Sequence, residues 1–223
     1  MNLAPNGEES NLTPEQYKLV RTPEFKAWFG DWENSPETAS KVVDENGEPL
    51  VVYRGLQTQT DYKKSGFQYF ALYYDYAEMW SEDMGGIGNV ISVFLCIKEP
   101  LLFEKYNKEL AEYDLYSFGK QGLLQVSSEL ESKMPYLAQI GLIENTDGAE
   151  YLADKLYEEL KTCDGVLGYD AGHYGEQFVF VTKEPTQIKL ADGRNTTFNA
   201  SNLDMRFNLG GDINTYEYNI GGL

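Results

Sequence analysis

Apolar positions along this chain follow two periods, and each period predicts a different element. Leu50-Val51-Val52-Tyr53 and Val90-Ile91-Ser92-Val93-Phe94-Leu95-Cys96-Ile97 are continuous apolar runs of strand length. The second predicts a long central strand over 90–97, stopped by Pro100. Phe25, Trp28 and Phe29 recur at helical spacing behind Pro23, so a short helix ending near Gly30 is expected to bury that face against the main domain. Thr13-Pro14-Glu15-Gln16 starts another helix: Thr as N-cap, Pro in the first turn and Gln three residues on. Asn46-Gly47 between the apolar runs 41–43 and 50–53 predicts a hairpin. Residues 73–83 read as a helix, and 149–160 as an amphipathic helix with Leu152, Leu156 and Leu160 on one side. Shorter strands are expected over 165–168, 177–182 and 186–190, while 101–147 read as mostly helical or irregular.

These elements divide the chain into three parts. Residues 1–40 are a lead, flexible over 1–11, followed by helices that pack on the core. Residues 41–190 form an α+β domain. From 191 to 223 the composition shifts to Asn, Gly, Asp and Thr, which reads as a tail or linker. The tail holds a small echo, Phe207-Asn208-Leu209-Gly210-Gly211 and Tyr218-Asn219-Ile220-Gly221-Gly222.

Composition narrows the classes of function. A formal net charge of −18 over 223 residues sets the chain against phosphate backbones, so non-specific nucleic-acid binding and anionic membrane surfaces are not expected. The same charge suits a basic partner. Two cysteines and one histidine are too few for a Cys/His zinc site, and no metal is expected. Cys96 lies within an apolar run and is expected to act as a small core residue. No secretory leader and no membrane-length apolar run is read, so the interior of a cell, cytoplasmic and reducing, is the expected location.

Three segments carry candidate chemistry. In Tyr53-Arg54-Gly55, Arg54 shares a strand face with Val52, and a cation ending an apolar strand needs an anion. Its guanidinium can grip a phosphate through two parallel hydrogen bonds. Gly55 is expected to let the chain turn and a ligand approach the backbone. Tyr69-Phe70-Ala71 places aromatics beside tight backbone, ahead of a helix with Ala77 and Trp80. Glu176-Gln177 opens a strand and offers a carboxylate; His173 lies close by.

Together the three segments resemble the ADP-ribosyltransferases. Tyr53-Arg54-Gly55 is similar to the Arg-type first motif of toxin-like members. Tyr69-Phe70-Ala71 is similar to the Tyr-Phe-Ala motif of the poly-ADP-ribose polymerases, and the strand opened by Glu176 to their final motif. The likeness is nearest to the ADP-ribosyltransferase modules of polyvalent proteins of phages and mobile elements. It rests on Phe25-Lys26-Ala27-Trp28-Phe29-Gly30-Asp31-Trp32, on residues 40–53, and on Lys98-Glu99-Pro100-Leu101, Cys163-Asp164-Gly165-Val166, Pro185-Thr186-Gln187-Ile188-Lys189 and Asn202-Leu203-Asp204-Met205-Arg206-Phe207. Many such modules have His where Arg54 stands, no Ser-Thr-Ser motif is present, and the catalytic carboxylate position falls on either Glu176 or Gln177.

The resemblance implies an α+β fold of two small antiparallel sheets split around an NAD cleft, with residues 41–190 as the catalytic domain and the N-terminal helices as a clasp. It implies NAD as co-substrate, cleaved at the nicotinamide–ribose bond through a cation-like sugar. Glu176 would stabilise that charge; Tyr53, Arg54, Gly55, Tyr69, Phe70 and Ala71 would bind NAD, with Arg54 on the pyrophosphate or its ribose and Tyr69 stacked on nicotinamide. ADP-ribose would pass to a host protein or nucleic acid. Two alternatives stay open: an altered site serving as a binding or inhibitor module with an acidic surface, and an NAD glycohydrolase that passes ADP-ribose to water.

Overall fold

A computed structural model describes residues 2–56, 68–83, 89–102, 162–170, 177–192 and Phe198. The elements in chain order are α1 (Pro14–Leu19), α2 (Pro23–Phe29), β1 (Val52–Leu56), β2 (Gln68–Ala71), α3 (Tyr74–Asp83), β3 (Asn89–Leu95), β4 (Pro100–Leu102), β5 (Gly165–Asp170), β6 (Gln177–Thr182) and β7 (Ile188–Leu190), the last entered through a single tight helical turn, Pro185–Gln187. The stretch 101–147, read as helical or irregular, and the helix expected over 149–160 lie almost wholly outside the described residues.

The strands join into one sheet of order β4-β5-β6-β2-β1-β3-β7. It is antiparallel except for β4 and β5, which run parallel. This differs from two separate antiparallel sheets, but the joint is narrow: β1 and β2 share one register pair, Tyr53 with Ala71. By contrast β1 matches β3 from Val52–Val93 to Leu56–Asn89, and β2 matches β6 from Gln68–Thr182 to Ala71–Val179.

The strand expected over 90–97 is not central; it is second from one edge, and Pro100 opens β4 instead of ending β3. Proline is tolerated there as the first residue of an edge strand. The hairpin at Asn46-Gly47 shrinks to one bridge, Val43 to Pro49. The Asp44 carboxylate accepts from the amides of Asn46 and Glu48, which tightens the turn, and β1 makes its longer pairing with β3.

β3 divides two apolar clusters because its side chains alternate. Val93 and Leu95 enter one, with Val52, Leu56, Phe70, Leu167, Phe180 and Ile188. Phe94 enters the other, with Phe25, Trp28, Phe29 and Trp32 of the N-terminal segment. Both caps of the N-terminal helices follow from their sequences: Thr13 and Gln16 form a full capping box, and Thr22 caps α2.

Residues 2–11, expected to be loose, form a closed turn with a Leu3–Glu9 bridge, docked beside the turn at Asn46. Ser10 and Arg21 both donate to Glu48, which is fully buried. The tail boundary at 191 also shifts. Ala191 and Phe198 are buried, and the Phe198 ring packs edge-on against Phe25, 4.8 Å between centroids. Among the described residues no helix is long and apolar enough to cross a membrane.

Candidate functional site

The narrow joint between β1 and β2 is where the sequence-marked residues meet. One step past the Tyr53–Ala71 pair, the Arg54 guanidinium donates from Nη1 to the Tyr69 carbonyl at 3.4 Å. By register Tyr69 lies opposite Gly55, so the Arg54 side chain reaches diagonally across the joint. The guanidinium carbon stands 5.5 Å from the centre of the Phe70 ring, at cation–π distance. Phe70 itself is buried in the apolar cluster shared with Val52 and Leu56. Arg54 is therefore held over an apolar floor, half-buried, at the edge of the joint.

Tyr53 is on the other face of β1. Its ring meets Tyr74 of α3 edge-on, with centroids 5.7 Å apart and planes at 76°. Tyr69 is half-buried and Ala71 buried. Gly55 neither turns the chain nor faces open space. It lies within β1, and a Cβ there would come within 2.2 Å of the Ala77 carbonyl and 2.8 Å of the Ser81 side chain. The close approach that Gly55 permits is that of α3. Ser81, fully buried, also donates to the Leu56 carbonyl at 3.1 Å and fixes the helix against the strand. Sequence reasoning passed over Ser81; its signal was a pair of small residues, Ala77 and Ser81, one helical turn apart behind a strand glycine.

Gln177 is the first residue of β6, and its backbone pairs with Asp170. The last bond between β2 and β6 runs from the Leu72 amide to the Phe178 carbonyl. Extending that register by one residue sets Gln177 opposite Tyr73. That is about three residues, or ~10 Å, along the sheet from Arg54 and two strands across. Glu176 and His173 lie outside the described residues. The structure thus gathers Arg54, Tyr69 and Phe70, pairs Tyr53 with Ala71, assigns Gly55 to helix packing, and starts β6 at Gln177.

Further side chains tie separate parts of the sheet and its flanks together. Gln187 accepts from the amides of Lys183 and Glu184, and donates to the carbonyls of Cys96 and Asp164, so one side chain ties the approach to β7 to residues flanking β3 and β5. Asp164 accepts from the amides of Lys98 and Glu99. Cys96 donates its thiol to the Trp28 carbonyl, and burial pushes that thiol up to about 11. A thiol held protonated is a packing group, not a nucleophile.

A family model described as ADP-ribosyltransferase in polyvalent proteins matches residues 44–198. The match begins in the turn before β1 and ends at Phe198, the buried aromatic beyond the last strand. No curated protein and no solved structure matches the chain significantly.

Proposed function

The chain belongs to the family of ADP-ribosyltransferases in polyvalent proteins, and from that premise we propose that it cleaves NAD at the nicotinamide–ribose bond and transfers ADP-ribose to a host macromolecule. The observation that carries the reading is the joint itself: Arg54, on the Tyr69 carbonyl and over the Phe70 ring, where two well-paired halves of the sheet meet through one residue pair.

Each side chain has a part in that chemistry. The Arg54 guanidinium suits a pyrophosphate, because its fork matches two phosphate oxygens and its charge is permanent. The half-buried Tyr69 ring offers flat apolar surface for a nicotinamide ring, while Phe70, buried in the core, lies under the Arg54 guanidinium and not in the slot. In the reaction the C–N glycosidic bond breaks, nicotinamide leaves with the bonding electrons, and positive charge grows on the ribose. A carboxylate at Glu176, one residue before β6, would stabilise that charge electrostatically. The acceptor's nucleophilic atom then bonds to the ribose carbon and gives up its proton. The expected setting is the interior of a host cell, where NAD and acceptors are present.

The test is transfer of label from NAD carrying a labelled adenylate portion into host lysate. Labelled macromolecules formed by the wild-type chain and not by Glu176→Gln support the transferase. Nicotinamide release with no labelled acceptor would make the chain an NAD glycohydrolase, and no release at all would make it a binding module.

A further inference from the structure

We propose that the outer face of α3, with Tyr73 before it, docks a basic segment of the acceptor protein. This rests on the transferase reading and names the partner's chemistry. Among the described residues five large apolar side chains are exposed, and three of them, Tyr73, Tyr74 and Met79, belong to this one short stretch. The other two, Leu3 and Val43, lie in the N-terminal turns. Clustered exposure of this kind marks an interaction surface where scattered exposure would not.

The charges around the cluster select the partner. The α3 sequence Tyr74–Asp83 contains Asp75, Glu78, Glu82 and Asp83 and no Lys or Arg. Asp75, Met79 and Glu82 are all exposed and follow helical spacing, so acid and thioether alternate along one face. The inner face is already taken: Tyr76, Ala77 and Ser81 are buried, and Ala77 and Ser81 lie against Gly55. An Arg- or Lys-rich segment fits what remains. Its cations meet the carboxylates and tyrosine rings, and its methylene stems lie on Met79.

Position links the surface to the chemistry. Tyr73 follows directly on the residue that makes the last β2–β6 bond, and Gln177 precedes its partner on the other strand. A chain seated on Tyr73 and Asp75 would lie one strand spacing, about 4.8 Å, from the opening of β6. That opening is where the carboxylate of the reaction is expected.

The experiment uses the full chain and fluorescein-labelled poly-L-arginine, followed by anisotropy without NAD, with poly-L-glutamate as the negative probe. Neutralising α3 (Asp75→Asn with Glu78→Gln and Glu82→Gln) is expected to raise Kd about tenfold. Neutralising three exposed acids of the N-terminal segment (Glu15→Gln with Glu24→Gln and Glu37→Gln) is expected to raise it less than about twofold. Tyr73→Ser with Met79→Ser tests the apolar part and is expected to weaken binding about threefold. Equal weakening by the two neutralised variants, or none from Tyr73→Ser with Met79→Ser, would overturn the docking surface. NAD cleavage by the same proteins is read separately: its absence in the wild type strikes the transferase reading and leaves the binding result standing.

Discussion

Among the described residues two arginines lie at joints between parts of the molecule, and they are held in different ways. Arg21, in the N-terminal segment, is enclosed. It pairs with Glu48 at 2.7 Å and Glu33 at 3.2 Å, donates to the Tyr17 carbonyl, and lies 3.4 Å from the centre of the Tyr17 ring. Arg54, at the β1–β2 joint, reaches a neutral carbonyl at the long distance of 3.4 Å and a ring at 5.5 Å. The contacts around Arg21 run from carboxylate to carbonyl to aromatic within one closed cluster, as suits a clamp between the lead, α1 and the turn before β1. Arg54 meets a backbone carbonyl and the face of an aromatic ring, and its reading as the group that takes the NAD pyrophosphate is the proposal made above. The same contrast holds for the strands: five register pairs join β1 to β3 and one joins β1 to β2.

The largest effect expected from this contrast is on the closed side. Arg21→Met leaves the fully buried Glu48 without its guanidinium, and is expected to cost about 3 kcal/mol in urea unfolding while NAD affinity of the surviving folded protein is unchanged. Next are two of the packed glycines, Gly30 and Gly55. Gly30 has φ +105°, and a Cβ there would meet Ala39 Cα at 2.4 Å; at Gly55 it would meet the Ala77 carbonyl at 2.2 Å. Each Gly→Ala change is expected to cost about 2 kcal/mol. Only Gly55→Ala, by pushing α3 off β1, should also weaken NAD binding, and calorimetric titration separates the two. Arg54→Ala reverses the pattern: stability falls by less than about 1 kcal/mol, while NAD affinity drops about tenfold. The contrast would be broken if Arg54→Ala cost as much stability as Arg21→Met. The smallest effect concerns Cys96. With its thiol pushed up to about 11 by burial, it should remain unalkylated by iodoacetamide at neutral pH and gain reactivity only as pH approaches that value. Peptide mass spectrometry reads this directly.

The sequence made local chemistry legible. The Thr13 cap, the apolar face of Phe25, Trp28 and Phe29, and the span of α3 all depend on neighbours within a few residues. What it left hidden depends on partners far along the chain. Nothing near 89–97 says that β3 takes β1 on one side and β7 on the other, and so lies next to the edge. Residues 2–11 read as loose because their anchors, Asn46 and Glu48, are some forty positions away. Phe198 read as tail because its aromatic partners lie in α2. In the candidate site Arg54 stood out as a cation in an apolar run and Tyr69-Phe70-Ala71 as a tight aromatic triplet, but the strand expected to end at Arg54 continues to Leu56 and puts the cation in its middle. Gly55 was misread as well. A glycine announces that something comes close, and only the tertiary structure says that the visitor is a helix.

The central claim is that the weakly joined seam around Arg54 houses NAD cleavage. The most direct measurement is nicotinamide release from NAD by the purified wild-type chain, beside Arg54→Ala and Glu176→Gln, each checked for cooperative unfolding. Release by the wild type is expected, with Glu176→Gln lower by about a hundredfold or more at similar NAD affinity and Arg54→Ala needing about tenfold more NAD. Wild-type release that persists in both folded variants would contradict the account and move the chemistry elsewhere in the molecule.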